Sequence, residues 1–192
     1  MRVLLVSEGK HEESGALEAL VRRAVPKIAQ CAFARVSDRR VEIQPGKGGG
    51  LYKRILQWVL EARRSRFDAL ILVIDEDGYK DRIRQLDQAQ AEVTRTFHFP
   101  RAIGIAIRSF DAWMLADEKA LSDSLACSIQ RQASPEDNRD PKADCQSLRD
   151  SSPTEISLRD FYAKVSLCVD LQCLSDRCPK GFGAFIARLR LL

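Results

Sequence analysis

Apolar residues alternate along this chain between short continuous runs and longer segments with helical spacing. Three runs are almost wholly apolar, as is typical of strands buried on both faces: Arg2–Ser7, Phe67–Ile74 and Ala102–Ser109. A fourth strand region, Cys31–Ile43, is interrupted by polar residues at 37–40. Apolar residues recur at helical spacing in Glu12–Ala29, Leu51–Arg64 and Asp81–Thr96, and a further helix begins at Asp111–Asp117. This alternation predicts an α/β fold with a mostly parallel four-stranded sheet and helices on both faces.

The character of the chain changes after about Leu121. Ser122–Ser152 is rich in Ser, Asp, Arg, Gln and Pro and carries few large apolar residues, which predicts a polar loop or a partly disordered excursion. Ser157–Leu171 and Phe182–Leu192 again have helical spacing. We therefore divide the chain into a core at 1–120, a polar excursion at 121–155, and a C-terminal helical segment at 156–192 that packs on the core.

The composition is that of an ordinary globular protein, with 45% hydrophobic and 30% charged residues. No apolar run approaches 18 residues and no signal peptide precedes the first strand, so we expect a cytoplasmic protein without a membrane span. The six cysteines form no C-x-x-C pair, which favours reduced thiols over a zinc site. A net charge of +4 permits nucleic-acid binding without demonstrating it.

Acidic residues follow three of the predicted strands. Glu8 comes after the first strand, Asp75-Glu76-Asp77 after the third, and Asp111 just past the fourth. The carboxyl ends of parallel strands meet in one crevice, where these carboxylates would repel one another. Mg²⁺ is a hard cation that prefers oxygen ligands and would remove that repulsion. Because residues two apart on an extended segment point the same way, we expect Asp75 and Asp77 to face the same ion.

Further candidates lie at helix starts and in basic segments. Glu12 begins a helix, where a carboxylate either binds the metal or only favours the helix dipole, and the same two interpretations apply to Asp111. The glycine-rich loop Gln44–Gly50 is either a plain connector or a phosphate cradle. The basic residues that we expect to contact a nucleic-acid backbone, unless they only cover a solvated surface, are Lys10, Lys47, Lys53, Arg54 and Arg108.

The order and placement of these acidic residues resemble the Toprim domain of topoisomerases, primases and OLD-family nucleases. The matching motifs are a Glu-Gly after the first strand, Glu8-Gly9, and an Asp-x-Asp after a central strand, Asp75-x-Asp77. The closer resemblance is to the small OLD/RloB-like proteins of the DUF4276 family, through Glu8-Gly9-x-x-Glu12, Asp111-x-Trp113-Met114-Leu115, Tyr162-x-Lys164 and Cys178–Phe182. Those proteins typically carry Glu at the third acidic position, and Asp111 is shorter by one C–C bond, about 1.5 Å.

This resemblance implies a Toprim-like, Rossmann-like fold and phosphodiester hydrolysis that depends on Mg²⁺ or Mn²⁺, on DNA in preference to RNA. It implies Glu8, Asp75 and Asp77 as catalytic residues, and it adds Glu12 and Asp111 to these three as metal ligands. It also implies an ABC-type ATPase partner in a phage-defence system. Whether the protein forms a homo-oligomer stays open.

Two other functions compete with a nuclease. One is a catalytically weak Toprim scaffold that binds nucleic acid or an ATPase and cuts nothing. The other is a receiver-like signalling domain phosphorylated at Asp75, with Ser109 at the position of the switch hydroxyl. Receivers carry adjacent acids after the first strand, whereas this chain has Glu8-Gly9, which counts against that hypothesis.

Overall fold

The structure is a computed structural model of the chain, and it describes residues 1–9, 12–39, 41, 49–131, 134–153 and 155–192. The strands within these ranges form one parallel sheet in the order β2-β1-β3-β4, with β1 at Arg2–Ser7, β2 at Gln30–Arg35, β3 at Ala69–Asp75 and β4 at Arg101–Ala106. This confirms the predicted α/β class, in a Rossmann-like arrangement. The second strand ends at Arg35, because the backbone turns there and Asp38 N donates to Arg35 O at 2.9 Å; residues 40, 42 and 43 of the predicted strand region lie outside the described residues.

The main helices of the described ranges are α1 (Leu17–Ala24), α2 (Gly50–Arg64), α3 (Asp81–Ala91), α4 (Phe110–Met114), α5 (Glu118–Leu125), α6 (Pro141–Asp150), α7 (Leu158–Cys168), α8 (Leu171–Arg177) and α9 (Ala184–Leu189). Wide helical turns at Glu12–Ala16 and Pro179–Gly183 precede α1 and α9, and a short 3-10 turn spans Pro135–Asp137. The predicted helix over Glu12–Ala29 is therefore interrupted. Gly15 has φ of 100°, a left-handed conformation that a regular helix does not contain.

The sheet separates two hydrophobic cores, and helices cover both of its faces. Alternate residues of each strand point to opposite faces. Leu5 and Ile71 belong to the core shared with α1, α4, α5 and the C-terminal helices, whereas Val6 and Leu72 belong to the core shared with α2 and α3. The prediction of helices on both faces is confirmed. No described helix is long and apolar enough to cross a membrane.

The segment at 121–155 contains regular structure, so the prediction of a polar loop is wrong for much of it. Helix α6 begins at Pro141, and the side chain of Asp140 caps it by accepting from Ala143 N at 3.0 Å. Only Pro141 and Cys145 of this helix are buried, which explains why its sequence has so little apolar character. Cys145 packs in the same core as the C-terminal helices. The division of the chain into three parts stays a prediction.

An aromatic cluster joins the C-terminal helices to β4 and α4. Trp113 of α4 stacks on Phe185 of α9 with ring centroids 5.8 Å apart, and its ring meets Phe182 edge-on at 5.2 Å. Phe185 lies directly against Gly104 of β4, where an added Cβ would be 2.6 Å from the phenyl ring. This cluster fixes the position of α4, whose second residue is Asp111.

We expect the Gly104→Ala variant to be less stable than the wild type by about 1–3 kcal/mol, because the added methyl group overpacks the contact with Phe185. Urea denaturation gives the free energy of unfolding. The matched control is Gly50→Ala in α2, where an added Cβ meets no described atom within 4 Å. Its stability is expected to stay the same or to rise by up to about 1 kcal/mol. Equal losses in both variants would contradict this account of the packing.

Candidate active site

The carboxyl ends of the central strands border a cavity of about 680 Å³, which we call the acidic cavity. Five carboxylates line it: Glu12, Asp75, Asp77, Asp111 and Asp140. Three basic side chains also line it, those of Arg108, Arg139 and Lys142. Gly9, Ser109, Phe110, Pro141 and Tyr162 complete the wall. The convergence predicted from parallel strands therefore holds for the acidic residues after β3 and β4 and for Glu12.

Asp75, the last residue of β3, connects that strand to α4. Its Oδ1 accepts a hydrogen bond from the backbone N of Phe110 at 2.8 Å. Burial, followed by the negative charges of Glu12, Asp77 and Asp111, raises the pKa of Asp75 to about 8, although the bond from Phe110 opposes this shift. Asp75 is therefore surrounded by other acidic side chains, and the donor that orients it is an uncharged backbone amide.

The side chain of Glu12 is buried against Gly9, with only 3% of the residue exposed. A Cβ at position 9 would overlap the Glu12 carboxylate, so the Glu8-Gly9 motif has a steric reason for its glycine. Among the described residues, Oε1 of Glu12 finds no hydrogen-bond partner. Burial raises the pKa of Glu12 to about 7, and the charges of Asp111 and Glu8 add to the shift. Its position favours the ligand interpretation over a helix-dipole role.

The third acidic residue, Asp111, is buried in the first turn of α4. Its Oδ1 accepts a hydrogen bond from the hydroxyl of Tyr162, which is fully buried in α7. Burial and the nearby Cys145 and Asp111 raise the pKa of Tyr162 above its usual range, so it stays a neutral donor. The sequence motif Tyr162-x-Lys164 marked this residue, but the contact with Asp111 was not predicted.

Glu8 and Asp77 share a cation, Arg82 of α3. One guanidinium nitrogen of Arg82 lies 3.0 Å from Glu8 Oε2 and 3.0 Å from Asp77 Oδ2, so the two carboxylate oxygens are within about 6 Å of each other. The same nitrogen donates to the backbone O of Asp75 at 2.5 Å, and Glu8 Oε2 also accepts from Asp75 N at 3.2 Å. Glu8 is thus close to both aspartates, but it faces Arg82.

The expectation that Asp75 and Asp77 point the same way along an extended segment is wrong. Asp77 has φ of 50° and Gly78 has φ of 75°, so the backbone turns directly after β3. Both carboxylates still reach the acidic cavity, but Asp75 bonds to α4 whereas Asp77 bonds to Arg82. Nothing in the composition marks Arg82, because its role depends on where α3 packs.

The acidic residues form two groups that differ in how their charge is balanced. Arg82 pairs with both Glu8 and Asp77 and offsets part of their negative charge. Glu12, Asp75 and Asp111 make no ion pair with any residue that the structure describes. The second group offers only oxygen donors, has raised pKa values at two members and contains an unpartnered buried oxygen, all of which suit a hard divalent cation.

The present side-chain positions do not form a complete metal site. Over residues 1–9, 12–39, 41, 49–131, 134–153 and 155–192, no three His, Cys, Asp or Glu side chains are arranged to hold one ion. The chemistry of Glu12, Asp75 and Asp111 therefore fits a metal, while coordination by all three requires their side chains to reorient.

The predicted basic residues lie in different places. Arg108 lines the acidic cavity. Arg54 of α2 borders a separate cavity of about 430 Å³ together with Glu8, and it donates to Val36 O at 3.0 Å. Lys53, also on α2, is not part of the acidic cavity. Lys10 and Lys47 lie outside the described residues. Sequence reasoning missed Arg139 and Lys142, because it assigned them to a polar excursion.

Comparison with known families gives one finding. A family model described as a domain of unknown function, DUF4276, matches residues 8–190. The match begins at Glu8 and includes every residue of the acidic cavity. Comparisons with curated proteins and with solved structures gave no match.

We expect Asp75→Asn to gain stability relative to the wild type as pH rises from about 4 to about 8. In the wild type, Asp75 keeps its proton to a pKa of about 8 when folded and loses it near 3.8 when unfolded. The folded state therefore binds more protons in this interval, and the wild type loses up to about 1.4 kcal/mol per pH unit. Asparagine carries no charge, and its carbonyl can still accept from Phe110.

The measurement is urea unfolding in EDTA at several pH values between 4 and 8.5. The matched control is Asp123→Asn, which changes an exposed carboxylate on α5 outside the cavity. The stability of Asp123→Asn relative to the wild type is expected to stay the same between pH 4 and pH 8.5. If the stability of Asp75→Asn relative to the wild type does not change over this pH interval, the pKa of Asp75 is not raised and the description of the acidic group is wrong.

We expect Arg82→Met to lower the free energy of unfolding of the metal-free protein by about 1.5–3 kcal/mol at pH 8, because Glu8 and Asp77 lose a partly buried, charged hydrogen-bond donor. Arg84→Met is the control on the same helix, since Arg84 pairs with Asp81 at the surface, where such pairs contribute about 0–1 kcal/mol. Chemical denaturation compares the two. An Arg82 variant as stable as the Arg84 variant would contradict the charge-balancing role.

Proposed function

The chain belongs to the DUF4276 family, and from its acidic cavity we propose that it is a phosphodiesterase that uses Mg²⁺ or Mn²⁺ to hydrolyse nucleic acid, with DNA favoured over RNA. One observation carries the proposal. Glu12, Asp75 and Asp111 come together from separate parts of the chain in one cavity, where the described residues supply them with no cationic partner.

Glu12, Asp75 and Asp111 would hold the metal through their carboxylate oxygens. When bound, a divalent cation polarises a phosphoryl oxygen, activates water and neutralises developing charge. Phe110 and Tyr162 hold the carboxylates of Asp75 and Asp111 in place. Oε1 of Glu12 has no hydrogen-bond partner among the described residues, so it is available to bind the cation.

Glu8 and Asp77 have a supporting position in this proposal. The resemblance to Toprim domains implies that both act directly, together with Asp75. Arg82 holds them beside Asp75 at the carboxyl end of the sheet. Acidic residues after β1, β3 and β4 support a Toprim-type site. A role as the effector of an ATPase-linked phage-defence system is part of the proposal that depends on the resemblance alone.

A binding subunit without catalysis is the second candidate. It is favoured by the pairing of Glu8 and Asp77 with Arg82, and by the lack of a ready three-ligand group in the described part of the chain. Such a protein would use the basic residues around the cavity to bind nucleic acid. The receiver-like hypothesis stays untested.

We expect the purified protein to nick supercoiled plasmid DNA in Mg²⁺ or Mn²⁺ and to lose this activity in EDTA. Asp75→Ala should lower the rate at least about 100-fold, because it removes the carboxylate at the centre of the acidic group. Asp123→Ala, which changes an exposed carboxylate outside the cavity, serves as the control and should retain the wild-type rate. Gel electrophoresis of the plasmid gives the rates.

The same preparation separates the two candidates. Calorimetric titration with Mn²⁺ should show binding to the wild type and much weaker binding to Asp75→Ala. A protein that binds DNA, shows no affinity for Mn²⁺ and leaves the plasmid intact is a binding subunit. Activity that survives Asp75→Ala at the wild-type rate rules out the acidic cavity as the site of hydrolysis.

A further inference from the structure

The acidic cavity has a basic rim that takes no part in the proposed metal chemistry. We propose that Arg108, Arg139 and Lys142 bind backbone phosphates of a single-stranded nucleic acid and direct the strand to the buried carboxylates. The choice of ligand rests on the proposed function, which it deepens by naming the substrate class. The inference follows from where these side chains lie, what they contact and how deep the carboxylates are.

The three basic residues come from two segments that lie far apart in the sequence. Arg108 follows β4, whereas Arg139 lies two residues before α6 and Lys142 is the second residue of that helix. All three are exposed, and all three line the acidic cavity. Chain folding has therefore collected positive charge around the opening of a cavity whose carboxylates Glu12 and Asp111 are buried.

The rim residues have no anionic partner in the part of the chain that the structure describes. Within the described ranges, the side chains of Arg108, Arg139 and Lys142 form no ion pair or hydrogen bond, although carboxylates line the same cavity. Other arginines of this protein are paired: Arg82 with Glu8 and Arg188 with Asp87. Unpaired cations around one opening attract a polyanion with closely spaced charges, and the phosphate backbone of a nucleic acid is such a ligand.

The backbone holds the rim in place. Arg108 has φ of 65°, which is uncommon for a residue other than glycine. Two hydrogen bonds hold it there: Asp77 N donates to Arg108 O at 3.1 Å, and Arg108 N donates to Glu76 Oε2 at 3.3 Å. On the other side, Asp140 caps α6, whose Cys145 is fully buried. The rim is thus part of the folded framework.

The depth of the carboxylates favours a single strand over a duplex. Glu12 and Asp111 are only 3% and 7% exposed, so a phosphodiester must enter the cavity to reach them. Duplex DNA is stiff over about 150 base pairs, and bending it sharply costs several kcal/mol. A single strand turns at each nucleotide. A volume of about 680 Å³ is that of a small-molecule site, which suits a short stretch of flexible strand.

The test is nucleic-acid binding by the Asp75→Asn protein in EDTA, measured by fluorescence anisotropy. This background prevents cutting, so it reports binding independently of catalysis. The probes are a labelled single-stranded DNA oligonucleotide and a blunt duplex of the same sequence. We expect the single strand to bind at least about 10-fold more tightly at the ionic strength of the cell.

Arg139→Ala and Lys142→Ala, each added to the Asp75→Asn protein, should weaken single-strand binding by about 3- to 10-fold. Each should also reduce the slope of the logarithm of the association constant against the logarithm of the salt concentration by about 0.7, the value for one phosphate contact. Arg159→Ala, which changes an exposed arginine on α7 outside the cavity, is the control and should leave both unchanged. Far-ultraviolet circular dichroism checks that each variant is folded.

Three outcomes would overturn the inference. They are unchanged affinity and salt slope in both rim variants, a duplex that binds as tightly as the single strand, and displacement of the strand by a mononucleotide at an equal concentration of phosphate. None of these three outcomes depends on whether the protein cuts DNA. The proposed hydrolase function is tested by a separate assay, and it fails if the wild-type protein does not nick DNA in Mg²⁺ or Mn²⁺.

Discussion

Repulsion among carboxylates at the carboxyl end of a parallel sheet is the constraint on which the rest of this structure depends. The topology brings the residues after β1, β3 and β4 to one edge, and it does so whatever their charge. The protein balances this charge in two ways. Arg82 pairs with Glu8 and Asp77, whereas Glu12 and Asp75 respond by raised pKa values. Only the second group has no cationic partner among the described residues, so a cation that bound there would take the place of the protons that the raised pKa values retain.

The C-terminal half of the chain is required to hold the site together. Asp111 lies on a helix of only five residues, which on its own would be too short to hold its shape. Stacking of Trp113 on Phe185 and the hydrogen bond from Tyr162 fix that helix from α9 and α7. The family match over residues 8–190 is consistent with this dependence, because it covers these helices as well as the sheet.

The sequence predicted those features that depend on local pattern and on topology. The strand Arg2–Ser7 was located to the residue, because a strand buried on both faces has a continuous apolar signal. Convergence of the acidic residues follows from parallel strand order. Contacts between distant segments could not be predicted, since Arg82 and Tyr162 acquire their partners only when α3 and α7 pack. The turn at Asp77 was missed because the extended conformation was assumed to continue past β3.

Neutral donors orient two carboxyl groups in a cavity that also contains arginine and lysine. Asp75 accepts from a backbone amide and Asp111 from a phenol, so each carboxyl group is oriented without an ion pair. Two hydrogen bonds fix the backbone of Arg108, and the start of α6 places Arg139 and Lys142 along the same cavity. Positive and negative groups therefore stay apart within one cavity. The proposed function needs this separation, because a phosphodiester would contact the rim while a divalent cation would contact the buried carboxylates.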